Sequence, residues 1–201
     1  MERAASEARR IAVLTGGHGR GSNLKAIHEY FQVKGFPARV ELVVGTRQET
    51  PVRELCASLG LRFEYIASKS MPEFESQLSH LVIACGIELI ALAGFLKLLS
   101  ADFLKQVAIP VLNIHPALIP KHCGAGMYGM KVHESVFSAG EKISGATVHE
   151  VDALYDHGRI IAQQCIDIGT CLTPAEIAAR VLQVEHQIYA PAILKRLLGG
   201  E

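Results

Sequence analysis

Short apolar runs alternate with longer amphipathic segments along the first two thirds of the chain. Continuous apolar runs indicate buried strands, and apolar positions spaced three or four residues apart indicate helices. The predicted strands are Ile11–Thr15, Val40–Val44, Phe63–Ile66, Glu88–Ala93 and the apolar run Ile109–Leu112, which leads to Asn113. The predicted helices are Ser22–Val33, Pro51–Leu59, Met71–Ala84 and Ala101–Gln106. This order predicts an α/β fold with a doubly wound, mostly parallel sheet that binds ligands at the carboxyl edge of its strands.

The last third of the chain breaks this alternation. Ile143–Val151 and Arg159–Ile168 are predicted to form an extended antiparallel pair around a loop that contains Asp156. A long capped helix is predicted to start after Thr173 and to run to about Leu198. No repeat, low-complexity segment or linker interrupts the chain, so we expect a single domain over residues 1–201. Residues 1–9 are expected to be a loosely ordered N-terminal extension.

Composition narrows the class of protein. The chain has 201 residues, with 20 basic and 20 acidic side chains, so it offers no broad electrostatic case for nucleic acid or anionic lipid as a partner. No apolar stretch is long enough for a membrane span. The five cysteines are odd in number and form no Cys-x-x-Cys pair, which predicts reduced thiols and a cytoplasmic protein. A homodimer remains open.

Candidate catalytic residues follow the strand that ends near position 115. Asn113 and His115 are two residues apart, so on a strand they point to the same face. Both side chains can donate hydrogen bonds to an oxyanion that forms in a transition state. A carboxylate such as Asp156 would hold the imidazole and raise its pKa. This set favours acyl transfer without a nucleophilic Ser or Cys, whereas the alternative is that Asn113 and His115 only cap the strand.

A glycine-rich loop follows the first predicted strand. Its glycines allow the backbone to approach an anion, and the helix that follows directs free amides at the same point. The candidate phosphate-binding residues are Gly19, Arg20, Gly21, Ser22 and Asn23. Arg47, near the end of the second strand, would suit the 2′-phosphate of a dinucleotide, so an NADP-binding reductase remains the alternative.

A second glycine pattern, Gly124-Ala125-Gly126-Met127-Tyr128-Gly129, follows a loop and not a strand. It therefore lacks the context of a dinucleotide site, and we interpret it as a flexible loop beside the substrate. Lys131 and His133, at the start of the next helix, are predicted to face solvent. His149 either lines the site or is an internally hydrogen-bonded histidine. The nine histidines lack the spacing of metal ligands, so no metal is expected.

Five linked motifs resemble the formyltransferases that act on glycinamide ribonucleotide. The resemblance runs in order from about Arg10 to about Leu198. Its motifs are Leu92–Ser100, Leu112–Pro120, Ser144–His149, Tyr155–Ile161 and Val184–Tyr189.

The resemblance implies a direct transfer of the formyl group from 10-formyltetrahydrofolate to the amine of glycinamide ribonucleotide. Asn113 and protonated His115 would stabilise the tetrahedral oxyanion, and Asp156 would help to move the proton. The glycine-rich loop would hold the ribonucleotide phosphate, and Glu185 would bind the ribose hydroxyls. The implied folate-binding residues are Leu92, Leu96, Lys97, Leu98, Phe103, Leu112, Asn113, Val151 and Asp156.

The same resemblance implies a cis peptide bond between Ile119 and Pro120. It also exposes departures, because Met71 stands where some relatives have an arginine and Leu182 where some have a basic or polar residue near the phosphate. Arg20, in a lengthened loop, is the nearest candidate for the missing cation; the alternative is an ordinary surface arginine. Another transferase or hydrolase that uses 10-formyltetrahydrofolate remains open. A methionyl-tRNA formyltransferase would be expected to add a C-terminal domain, and a formyltetrahydrofolate hydrolase an N-terminal one.

Overall fold

A computed structural model describes residues 8–17, 19–33 and 36–199, and its elements follow the alternation in the sequence. The strands are β1 (Arg9–Thr15), β2 (Ala38–Gly45), β3 (Phe63–Tyr65), β4 (Leu89–Leu92), β5 (Val111–His115), β6 (Ile143–Glu150) and β7 (Ile160–Asp167). The helices are α1 (Ser22–Phe31), α2 (Pro51–Leu59), α3 (Met71–Ala84), α4 (Ala101–Val107), α5 (Met130–Ser138) and α6 (Pro174–Leu197). Residues 1–7 of the expected N-terminal extension lie outside the described residues, and Arg9 is already part of β1.

The seven strands form one sheet in the order β3-β2-β1-β4-β5-β6-β7. The first five strands in this order pair in parallel, whereas β6 and β7 are antiparallel to their neighbours. The predicted doubly wound sheet with a C-terminal antiparallel pair is therefore confirmed. Because β1, β4 and β5 run in the same direction, the residues that follow them meet at one edge of the sheet.

Two apolar cores lie on opposite faces of this sheet. One core combines inward residues of the sheet with α1, α2 and α6, and the other packs the sheet against α3 and α4. Alternate residues of β1 show the division, since Ile11 and Val13 belong to the first core and Ala12 and Leu14 to the second. A strand buried on both faces is apolar throughout, which explains the continuous runs in the sequence.

Local capping determines where several helices begin. The side chains of Thr50, Ser70 and Thr173 accept hydrogen bonds from backbone N–H groups in the first turns of α2, α3 and α6. The predicted bounds of α2 and α3 match the observed ones for this reason. Helix α1 ends two residues earlier than predicted, at Phe31, because Val33 is exposed and gains no core contact.

Candidate active site

The end of β5 brings four polar side chains together, which we call the catalytic cluster: Asn113, His115, His149 and Asp156. Strand β6 pairs with β5 so that Asn113 lies opposite His149. The amide nitrogen of Asn113 lies 3.1 Å from Nε2 of His149 and 3.4 Å from Oδ1 of Asp156. None of the buried nitrogen or oxygen atoms of the cluster lacks a hydrogen-bond partner. The cluster is therefore held in position by the protein itself.

His115 places both ring nitrogens beside oxygen atoms. Its Nε2 lies 2.9 Å from the carbonyl oxygen of His122, and its Nδ1 lies 3.5 Å from Oδ2 of Asp156. A carbonyl oxygen can only accept, so Nε2 carries a proton in this arrangement. A second proton must therefore bind Nδ1, next to the Asp156 carboxylate.

The charge state of His115 differs from the expectation. Burial lowers the pKa of His115 below its ordinary value, and the opposing effects of Asp156 and of the His122 carbonyl do not overcome it. Asp156 raises this pKa as expected, but burial of the ring outweighs the effect of the carboxylate. The physical reason is that the ring is 3% exposed and loses more from desolvation than it gains from the carboxylate.

Asp156 enters the cluster from the loop between β6 and β7. Its φ of 53° lies in the left-handed region, which is uncommon for residues other than glycine. The loop closes tightly at Gly158, where a Cβ atom would clash with the carbonyl oxygen of Glu150. Burial disfavours the charged form of Asp156 and by itself would raise its pKa. The His149 ring at 3.5 Å, a hydrogen bond from the Gly124 N–H and the charge of His115 nevertheless lower its pKa below the ordinary value. The carboxylate is therefore ionised at neutral pH.

The sequence left open whether His149 lines the site or is an internally hydrogen-bonded histidine. Its Nδ1 donates to the carbonyl of Glu150 at 2.8 Å, and its Nε2 faces Asn113 and Asp156. The ring lies on the cavity wall. His149 thus both lines the site and has its own hydrogen bonds satisfied within the protein.

A second polar group lines the same cavity, where α1 meets α6. Asn23, in the first turn of α1, donates through Nδ2 to Oε2 of Glu185 at 2.6 Å. Burial raises the pKa of Glu185 to about 7, against the effect of this hydrogen bond. The other amide atom of Asn23, Oδ1, is buried without a partner. The pair therefore retains hydrogen-bonding capacity that the protein does not use.

The glycine-rich loop leads into α1 beside this pair. Gly21 is the N-cap residue with φ of 78°, and a Cβ there would lie 2.8 Å from a methyl group of Leu55. Glycine is thus required by both the backbone and the space. Gly19 and Arg20 are exposed, and of the five predicted phosphate-binding residues only Asn23 lines the main cavity. Gly19, Arg20, Gly21 and Ser22 lie outside its wall.

The main cavity, of about 530 Å³, is lined by both polar groups. Five of the predicted folate-binding residues with hydrocarbon side chains or stems line it: Leu92, Leu96, Lys97, Leu98 and Val151. Phe103 and Leu112 do not line it. They are 2% and 0% exposed and pack in opposite cores. Core packing leaves these two side chains no surface toward the cavity, and the implied part of Phe103 and Leu112 in folate binding stays a prediction.

The glycine-containing loop 124–129 forms part of the cavity wall, as expected for a loop beside the substrate. The Ile119–Pro120 bond is cis, which confirms that prediction.

The prediction that His133 faces solvent is wrong. The residue, on α5, is 5% exposed and lines the cavity. The available signal was the apolar spacing of Val132 and Val136, which buries this face of the helix. Lys131 is exposed, as predicted.

Within residues 8–17, 19–33 and 36–199, none of the helices is long and apolar enough to span a membrane. In the same residues, the His, Cys, Asp and Glu side chains form no cluster of three or more that could hold a metal ion.

Comparisons with known proteins agree with this geometry. The sequence profile described as formyl transferase matches residues 9–193. The chain is 34% identical over 197 residues to the chloroplastic phosphoribosylglycinamide formyltransferase of Arabidopsis thaliana, covering 96% of this chain and 68% of the relative. It is 33% identical over 184 residues to the Bacillus subtilis enzyme of the same name, covering 90% and 91%.

The chain is also similar to solved structures of formyltransferases. The chain matches glycinamide ribonucleotide transformylase 1 from Symbiobacterium toebii with a TM-score of 0.86 and 31% identity, over 96% of this chain and 90% of that one. Phosphoribosylglycinamide formyltransferase from Brucella melitensis matches with a TM-score of 0.85 and 29% identity, over 97% and 98%. The alternative of an NADP-binding reductase gains no support. The chain belongs to the formyl transferase family.

Proposed function

We propose that this protein transfers the formyl group of 10-formyltetrahydrofolate to the amine of glycinamide ribonucleotide, a step of purine biosynthesis. The observation that carries the proposal is the convergence of an amide, an imidazole and a carboxylate on one wall of the main cavity. Among the described residues, no serine, threonine or cysteine lines this cavity. This composition favours direct transfer to an amine over a covalent acyl-enzyme.

The two substrates are assigned to opposite sides of the cavity. A flat heterocycle suits the apolar wall formed by Leu92, Leu96, Leu98 and Val151. Glu185 suits hydroxyl groups, since its carboxyl group lines the cavity and can accept a hydrogen bond or, when protonated, donate one, while Asn23 holds that group in place. We call the side formed by Asn23, His133 and Glu185 the acceptor side. The helix amides at Gly21, Ser22 and Asn23 and the nearby Arg20 would hold the phosphate beyond it.

The oxyanion would be stabilised by Asn113 and His115. Asn113 makes a closer contact to His149, at 3.1 Å, than to Asp156, at 3.4 Å. The contact to Asp156 is therefore the one that can be exchanged for a hydrogen bond to the oxyanion, while His149 keeps the amide in place. His115 would donate from Nδ1 once that atom is protonated, and the ionised Asp156 would stabilise the resulting imidazolium.

The reaction also moves a proton, and we assign this proton transfer to His115 and Asp156. The amine forms a bond to the formyl carbon, the carbonyl π electrons move to oxygen, and the bond to the folate nitrogen then breaks. The attacking nitrogen loses one proton and the folate nitrogen gains one. Nδ1 of His115, 3.5 Å from the Asp156 carboxylate, is the proposed site through which this proton passes.

The test is a product assay with purified protein. Formylated glycinamide ribonucleotide and the deformylated folate should appear together, in equal amounts, only when both substrates are present. Folate product without the acceptor would instead indicate a hydrolase, and no product with either would reject the proposal. The His115→Ala variant is the negative control for contaminating activity.

We propose the cytoplasm as the location, because the five cysteines are all free thiols, as expected in a reducing compartment. The homodimer left open by the sequence is tested by measuring molar mass in solution by light scattering.

A further inference from the structure

A short piece of the loop after β5 contacts both residues to which the proton transfer is assigned. The carbonyl oxygen of His122 accepts a hydrogen bond from Nε2 of His115 at 2.9 Å. The backbone N–H of Gly124 donates to Oδ2 of Asp156, also at 2.9 Å. We call residues 122–124 the bridging segment. Because its two contacts come from one short stretch of backbone, its shape fixes the geometry at His115 and Asp156 together.

The backbone of the bridging segment needs support from the rest of the protein. The φ of His122 is 51°, in the left-handed region that is unfavourable for a residue with a Cβ atom. Gly124, with φ of 97°, has no Cβ atom and carries no such penalty. A residue such as His122 keeps this conformation only where its surroundings hold it there.

The side chain of His122 makes a contact that can hold it. Its Nδ1 lies 2.9 Å from Oγ of Ser135 on α5, within hydrogen-bond distance. Its Nε2 is enclosed and lies 3.7 Å from Oε1 of Glu141, which is longer than a hydrogen bond. Helix α5 is itself fixed in the core, since Val132 and Val136 are 0% and 1% exposed. The hydrogen bond to Ser135 therefore ties the bridging segment to a rigid element.

The carbonyl of His122 matters because of what it does to His115. It keeps the proton of the neutral ring on Nε2, so that Nδ1 faces Asp156 and can gain and lose a proton. It also favours the charged form of the ring, against the effect of burial. The other titratable groups that act on His115 are Asp156, the His122 ring, His149 on β6 and His133 on α5.

We propose that His122 and Ser135 are positioning residues, whose side-chain hydrogen bond holds the bridging segment in the shape that supports His115 and Asp156. The inference rests on the proposed function. Neither His122 nor Ser135 lines the main cavity. They therefore act through the backbone of the bridging segment, without contact to either substrate.

The kinetic test breaks the hydrogen bond from each end. Ser135→Ala removes the hydroxyl and keeps a helix-forming residue, and His122→Leu removes the ring. Each change should lower kcat by about three- to tenfold, as for the loss of one hydrogen bond, and should alter the KM of either substrate less than twofold. The double variant should lose no more than the larger single loss, because both changes break the same bond.

Two further variants serve as controls. His122→Asn places an amide atom where Nδ1 lies and tolerates the left-handed backbone, so it should recover most of the kcat that His122→Leu loses. Ser138→Ala, at an exposed serine on the same helix, should keep the wild-type kcat. Urea unfolding shows that each variant is folded.

A titration of His115 separates positioning from a general structural role. The ring is followed by NMR of the ligand-free protein labelled with ¹⁵N-histidine. In Ser135→Ala the pKa of His115 should fall below that of the wild type, because Nε2 loses a well-placed acceptor that favours the charged ring. Ser138→Ala should leave the pKa of His115 unchanged.

Three results would overturn the proposal. The first is a wild-type kcat in Ser135→Ala. The second is a lower kcat in that variant with an unchanged or raised pKa of His115. The third is a double variant whose losses add, since His122 and Ser135 would then act separately. Failure of the proposed function is seen separately, because the wild-type protein would not formylate glycinamide ribonucleotide while the pKa of His115 still responded to Ser135→Ala.

Discussion

The catalytic cluster satisfies its buried polar atoms within the protein, whereas the acceptor side leaves several of them without partners. Asn113, His115, His149 and Asp156 bond to one another and to backbone groups. On the acceptor side, Asn23 Oδ1 and His133 Nδ1 have no partner, and Glu185 has a strongly raised pKa. The difference teaches that the fold preorganises the groups that do the chemistry, whereas on the acceptor side it buries polar atoms at a cost in stability.

The largest effect should come from breaking the catalytic cluster. We expect His115→Ala and Asp156→Asn each to lower kcat by about 10²–10³-fold, because each removes transition-state stabilisation. The KM of either substrate should change little. Steady-state kinetics at saturating substrate checks this. His157→Ala, an exposed residue of the same loop paired with Asp152, is the control and should retain activity. A change confined to KM would show that these residues bind substrate and do no chemistry.

Glu185, on the acceptor side, should make the stability of the protein depend on pH. The pKa of Glu185 is raised from 4.5 to about 7, so between these values the folded state holds a proton that the unfolded state has lost. Stability from this group is complete below pH 4.5 and is lost as pH rises through 7. Across this window the free energy of unfolding of the wild type should fall by about 3 kcal/mol because of this group, and Glu185→Gln should lack this fall.

Urea unfolding of the wild type and of Glu185→Gln at several pH values measures this difference. Glu134→Gln, an exposed change on α5, is the control and should keep the wild-type pH dependence. Parallel curves for the wild type and Glu185→Gln would mean that Glu185 is solvated and ionised like an ordinary surface carboxylate.

Arg20 tests whether the acceptor side extends to a charged phosphate subsite. Leu182 cannot offset the charge of a phosphate, and the helix amides supply no full positive charge. We expect Arg20→Ala to weaken glycinamide ribonucleotide binding by about 1.5–3 kcal/mol, as for charge-assisted hydrogen bonds. The KM for folate should hardly change.

Binding constants from calorimetry, with Arg53→Ala as the control, decide the role of Arg20. Arg53 is an exposed arginine on α2 that pairs with Glu49. Unchanged affinity in Arg20→Ala would leave Arg20 as an ordinary surface charge.

The smallest expected effect concerns the residue that joins the two regions. The hydroxyl of Tyr189, on α6, lies 2.9 Å from the carbonyl oxygen of Leu92 in β4 and 3.0 Å from that of Leu112 in β5. Tyr189→Phe should lower the free energy of unfolding by about 1–2 kcal/mol, because buried carbonyls lose their donor. Chemical denaturation measures this, and Tyr65→Phe, an exposed change on β3, should be neutral.

Local patterns in the sequence determined much of this protein. Apolar runs predicted the strands, caps at Thr50 and Ser70 set the starts of α2 and α3, and the spacing of Asn113 and His115 placed both on one face of β5. These features depend on residues within a few positions of one another, so they can be recognised without the fold. The carboxyl edge as the location of the site follows from the strand–helix alternation alone.

Tertiary structure decided how each of these groups behaves. The fold, and not the local pattern, buries Phe103 and Leu112 away from the cavity and turns His133 into it. It also lowers the pKa of His115, although the expected Asp156 lies beside the ring. Burial and pKa sum contributions from elements far apart in the chain, among them α5, α6 and the loop that carries Asp156. Their balance is set only when those elements pack together.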